Sequence, residues 1–129
     1  MDYAGALQDR LIVLVEDHDD FRYFLSEFLI RHGATVLPSS DALEALRLVE
    51  EYRPSVVLTD IGLPGRNGFQ LLQDIRALDP LKGGTVPVIA MTAFGQIIDR
   101  RRAILAGFQN YLAKPFLPDE LLEAVKSLI

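Results

Sequence analysis

Five short apolar runs recur along the chain: Leu11 to Val15, Thr35 to Leu37, Val56 to Asp60, Val88 to Met91 and Asn110 to Ala113. Most lack polar alternation, as expected of strands buried on both faces of a parallel sheet. The second run is stopped by Pro38, which suits a sheet edge. Between the runs, apolar residues return at helical spacing. Phe21, Phe24, Leu25, Phe28 and Leu29 fall on one face of a first helix, with Asp19 or Asp20 as its N-cap and Gly33 closing it. Ser39-Ser40-Asp41 opens a second helix, with Asp41 and Glu44 at capping-box spacing and Leu43, Leu46, Leu48 and Val49 as its apolar side. A third runs from about Gly68 to Leu78, and a fourth from Ile97 to Ala106 ahead of Gly107. A fifth starts at Pro118 and carries Leu121, Leu122, Val125 and Leu128.

Strand and helix thus alternate five times. This order predicts an α/β fold of three layers, a doubly wound (βα)5 arrangement of flavodoxin-like type. Right-handed crossovers favour the parallel strand order 2-1-3-4-5, which sets the first and third strands side by side. Residues 1–10 read as a polar, loosely ordered arm and 11–129 as one domain.

Composition narrows the function. The 129 residues include no cysteine, which excludes disulfides and thiolate metal sites. The net charge of -5 and pI near 4.9 argue against a nucleic-acid surface and suit a cation. Arg100-Arg101-Arg102 is the one basic run, and it reads as a solvated or partner-facing side of the fourth helix. No apolar run is long enough for a membrane span, and the first ten residues lack a signal-peptide core, so a cytoplasmic location is expected.

The chemistry gathers at the strand ends. The first strand runs into Glu16-Asp17, the third ends at Asp60, the fourth at Thr92 and the fifth at Lys114. In a parallel sheet these ends share one edge, where α/β folds bind ligands. Crowded carboxylates repel unless a cation neutralises them, and an oxygen-only donor set suits Mg²⁺. A lysine and a threonine hydroxyl beside the acids match the needs of phosphoryl transfer. A carboxylate is the available nucleophile.

With Val15-Glu16-Asp17, Asp60 followed by Leu63-Pro64 and Asn67-Gly68, Met91-Thr92-Ala93, and Tyr111 through Phe116, the chain resembles the receiver domain of two-component response regulators from about Leu11 to Ile129. The resemblance implies that Asp60 accepts a phosphoryl group from a phosphohistidine on a histidine kinase or histidine phosphotransfer domain. It implies that Glu16, Asp17, Asp60 and the backbone carbonyl of Gly62 hold Mg²⁺, and that Thr92 and Lys114 bind phosphoryl oxygens. Tyr111 is implied as an aromatic switch that follows Thr92, and the Lys114–Pro115 bond as cis. On this reading the chain is a phospho-accepting switch rather than an enzyme with an external substrate. Its output partner or attached domain is unnamed, and the helix 4/strand 5/helix 5 face is available to a homodimer. No output domain is expected after the fifth helix. Gly107-Phe108-Gln109 and its surroundings look like receivers attached to hybrid kinases.

Two positions depart from water-orienting side chains: Gly62 and Phe94, two residues beyond Asp60 and Thr92. They imply slow self-dephosphorylation, with Phe94 as a shield; a phosphate lifetime that lengthened sharply in Phe94→Glu would contradict this. Asp19 and Asp20 read as an ordinary acidic helix start, and His18 and His32 as surface residues without ligand spacing. An aspartyl phosphohydrolase would want a second acid at Gly62. A flavin-binding module would want a Ser/Thr/Gly-rich loop after the first strand. A scaffold that keeps only the fold would have no use for the five polar residues at the strand ends.

Overall fold

In a computed structural model, residues 5–92 and 100–129 are described. Five strands, β1 (Leu11–Val15), β2 (Thr35–Ser39), β3 (Val56–Asp60), β4 (Val88–Thr92) and β5 (Asn110–Ala113), alternate with five helices. These are α1 (Asp19–Arg31), α2 (Ala42–Tyr52), α3 (Gly68–Arg76), α4 (Arg100–Ala106) and α5 (Pro118–Lys126). All strand pairs are parallel, in the expected order β2-β1-β3-β4-β5.

Side-chain alternation along the strands builds the two apolar layers. Ile12, Leu14, Val56, Leu58, Ile89 and Met91 face one side, where Leu25 and Leu29 of α1 and Leu121 and Val125 of α5 cover them. Val13, Val15, Val57, Val88 and Ala90 face the other, under Ala45 and Val49 of α2, Leu71 and Ile75 of α3, and Ala103 of α4. β3 and β4 are buried along their whole length, which explains the apolar runs Val56-Val57-Leu58 and Val88-Ile89-Ala90-Met91 that lead to their polar ends.

Several local features differ from the sequence reading. Leu7 of the supposed arm is fully buried in the α1/α5 layer, and its amide donates to the His32 carbonyl at 2.7 Å. The segment is therefore anchored at Leu7, while Gly5, Gln8, Asp9 and Arg10 around it are exposed. His18, not Asp19 or Asp20, is the N-cap of α1; both acids lie in the first turn, where they still suit the helix dipole. Pro38 lies inside β2 rather than beyond it, which an edge strand tolerates. Phe24 and Leu43 are exposed, while the small residues Ala42 and Ala45 make the close contacts of α2. Helix α3 stops at Arg76, two residues early, and a 3-10 turn at Pro80–Lys82 follows. Ala93, Phe94 and the expected start of the fourth helix at Ile97-Ile98 lie outside the described residues.

Strand register sets up the functional edge. Val15 pairs with Thr59, so Glu16 and Asp60 emerge side by side. Thr92 pairs with Ala113, so Lys114 emerges beside Thr92, and the Lys114 amide donates to the Thr92 carbonyl at 2.8 Å. The Lys114–Pro115 peptide is cis.

Candidate functional site

The loop after β3 is folded back on itself. Gly68, the first residue of α3, donates its amide to the Ile61 carbonyl at 2.9 Å. A β-carbon at Gly68 would lie 2.7 Å from the Asp60 carbonyl oxygen and 2.8 Å from Ile61 Cα, so only glycine lets α3 start this close to Asp60. Asn67 and Gln70 form a capping box at the same point. Arg66 makes a two-pronged ion pair to Asp74, at 2.8 and 2.9 Å, and pins the loop to the helix. Asp60 is thereby held at the strand end, and the Gly62 amide donates to its Oδ1 at 3.1 Å.

Lys114 closes the site from the end of β5. Its ammonium is 2.6 Å from Glu16 Oε1 and 3.1 Å from Asp60 Oδ2. Glu16 is fully buried and the Lys114 side chain only 17% exposed, so both ion pairs are shielded from bulk water. Burial alone would pull the lysine's pKa down. The hydrogen bond to Glu16 and the charges of Asp60 and Glu16 outweigh it, and the net direction is upward. The second oxygen of Glu16 accepts the His18 amide at 3.1 Å. Arg22 binds the Glu16 backbone carbonyl at 2.9 Å and Asp19 at 2.7 Å, fixing the β1–α1 turn without neutralising the site acids.

Thr92 is buried at the end of β4 and its hydroxyl lies 3.1 Å from the Tyr111 hydroxyl. Tyr111 is half-buried and packs against the α2/α3/α4 layer. Asp17 is 32% exposed at the mouth of the site. The structure thus brings Glu16, Asp60 and Lys114 into direct contact, sets Asp17 beside Glu16, and joins Thr92 to Tyr111. The three basic residues Arg100, Arg101 and Arg102 are exposed, with the Arg102 guanidinium 5.9 Å from the Phe69 ring centre.

Two residues at the site escaped the sequence reading. Phe21, assigned to the helix core, lies under Lys114 with its ring centre 4.7 Å from Nζ, and meets Phe116 edge-on. His18 places Nδ1 at 3.6 Å from Glu16 and 3.8 Å from Asp17. Its adjacency to Glu16-Asp17 in a tight turn was the available signal. His32, in contrast, binds the Phe28 carbonyl at the other end of α1.

The donor set fits a hard divalent cation. Glu16, Asp17 and Asp60 offer carboxylate oxygens, and among the described residues the Lys114 ammonium contacts Glu16 and Asp60.

Residues 12–126 match the family model of the response regulator receiver domain. An uncharacterized 14.6 kDa protein of Leptolyngbya boryana is 39% identical over 115 residues, covering 89% of this chain and 86% of that one. The transcriptional regulatory protein YrkP of Bacillus subtilis is 38% identical, covering 85% of this chain and 45% of YrkP. The chain spans about half the length of the transcriptional regulators it matches. Among solved structures, the receiver domain of the sensor histidine kinase PA1611 of Pseudomonas aeruginosa superposes with a TM-score of 0.82 at 34% identity, over 92% of this chain and 96% of that one. That receiver has a magnesium ion coordinated in its active-site cleft. A receiver-domain protein of Clostridium thermocellum gives a TM-score of 0.83 at 27% identity, over 93% and 94% of the two chains. The chain belongs to the response regulator receiver domain family, the signalling module of two-component systems. Among the described residues no helix is long and apolar enough to cross a membrane.

Proposed function

We propose that the chain is a phospho-accepting switch in which Asp60 takes a phosphoryl group from a phosphohistidine on a histidine kinase or phosphotransfer domain. A carboxylate oxygen of Asp60 bonds to phosphorus, the phosphorus–nitrogen bond breaks with its electron pair passing to nitrogen, and the imidazole leaves neutral because its other ring nitrogen already carries a proton. The observation that carries this reading is the contact of one ammonium, Lys114, with both Glu16 and Asp60 at the edge where Thr92 also ends.

Glu16, Asp17, Asp60 and the Gly62 carbonyl would hold Mg²⁺. When bound, the ion neutralises the acids and the incoming phosphoryl oxygens. The protein's own groups do the rest. Asp60 is positioned by the Gly62 amide and the closed β3–α3 loop. Lys114 offers a point charge to a phosphoryl oxygen, and Thr92 a hydroxyl to another. A phosphoryl group on Asp60 competes for both, so the Lys114 ion pairs and the Thr92–Tyr111 hydrogen bond are the contacts it alters. Tyr111 carries that change to the α4/β5/α5 face, where Ile104, Leu105 and Leu117 are exposed. An output partner, an attached domain or a second copy of the chain would read it there.

Intact mass after incubation with acetyl phosphate tests the reading. One added phosphoryl group is expected with Mg²⁺, and none with EDTA or in Asp60→Asn. A folded wild-type protein that gains no mass with Mg²⁺ would overturn it and favour the scaffold.

A further inference from the structure

We propose that His18 converts the mouth of the acid site into a three-ligand position for a nitrogen-accepting divalent cation of the Zn²⁺ class, exclusive with Mg²⁺. The inference rests on the cation-site reading above. Glu16, Asp17 and His18 each present one donor atom, and the three lie within 4.8 Å of one another. The Glu16 oxygen concerned is Oε2: the Lys114 ammonium holds Oε1, while Oε2 accepts the His18 backbone amide at 3.1 Å and keeps a second lone pair for a metal.

Donor type separates this set from an all-oxygen site. His18 Nδ1 stands 3.6 Å from Glu16 Oε2 and 3.8 Å from Asp17 Oδ1, close enough that side-chain rotations bring the three donors onto one ion. Imidazole suits zinc, whereas Mg²⁺ prefers oxygen. The His18 side chain is 79% exposed, so small movements of the ring are unopposed and a fourth position is left to solvent. The clustered carboxylates of the site draw a dication in either case. Because both ions would use Glu16 and Asp17, they exclude one another, and zinc would keep Mg²⁺ from Asp60.

Calorimetric titration of wild type and His18→Ala with Zn²⁺ alone, with Mg²⁺ alone, and with Zn²⁺ in excess Mg²⁺ tests this. The ratio of Zn²⁺ to Mg²⁺ affinity is expected to fall at least about tenfold in His18→Ala, and Mg²⁺ is expected to weaken Zn²⁺ binding to wild type by competition. In nitrogen NMR, Zn²⁺ should shift the His18 ring and leave His32 in place. An unchanged ratio, or Zn²⁺ acting on His32 alone, would overturn the proposal. If Mg²⁺ binds but Zn²⁺ ignores His18, only this inference fails. If Mg²⁺ does not bind wild type, the cation-site reading fails with it.

Discussion

Lys114 Nζ sits between two carboxylates at the ends of β1 and β3, 2.6 Å from Glu16 and 3.1 Å from Asp60. Both acids are buried, so the ammonium is a structural counterion before it meets any phosphoryl group. Removing it strands two charges. Lys114→Met should destabilise the protein by about 3–5 kcal/mol without divalent cations. Asp60→Asn relieves repulsion while leaving the Glu16 pair, so its cost should stay below about 1 kcal/mol. Urea unfolding of both variants decides; equal destabilisation would contradict the counterion role.

The same contacts set an alkaline limit. The folded-state pKa of Lys114 lies above the ordinary lysine value of 10.5, because the bonds and charges of Glu16 and Asp60 outweigh desolvation. A raised value means that the stabilisation is fully present below pH 10.5 and is lost as pH climbs through the folded pKa. Wild type should therefore lose its advantage over Lys114→Met above that pH. A stability difference between the two that stays constant from pH 8 to strongly alkaline conditions would contradict this.

Gly68 should tolerate no side chain. In Gly68→Ala the new methyl meets backbone atoms of Asp60 and Ile61 rather than a movable side chain. A loss of roughly 1–3 kcal/mol in thermal unfolding is expected, with slower modification by acetyl phosphate as the loop shifts. An alanine variant with wild-type stability and rate would show that the loop yields freely.

Leu7→Ala should cost about 2–5 kcal/mol, the range for a buried leucine. Chemical denaturation measures it. A loss under about 0.5 kcal/mol, typical of surface positions, would return the segment to the status of a loose arm.

The strands and their order were legible because buried parallel strands are written as apolar runs without alternation, as in Val56-Val57-Leu58 of β3 and Val88-Ile89-Ala90-Met91 of β4. The polar strand ends were legible for the same reason: a carboxylate or lysine that ends an apolar run has few places to go. Leu7 was not, since one leucine among polar residues has no periodicity. Phe24 and Leu43 fit the helical spacing yet face solvent, because α1 and α2 meet the sheet through narrower stripes centred on Leu25, Leu29, Ala45 and Val49. The cap of α1 fell to His18 because the turn is held by Arg22 and by the His18 amide on Glu16, which no local capping pattern encodes. Phe21 beneath Lys114 is a contact between residues 93 positions apart in sequence, invisible to any local pattern.

The central claim is that Asp60 itself becomes the acyl phosphate. Borohydride reduction of the acetyl phosphate-treated protein, followed by peptide mass spectrometry, converts an aspartyl phosphate into homoserine at the modified position. Homoserine at residue 60, dependent on Mg²⁺, is the expected result. Homoserine at Asp17 instead, or an unmodified Asp60 in protein that binds Mg²⁺, would contradict the account.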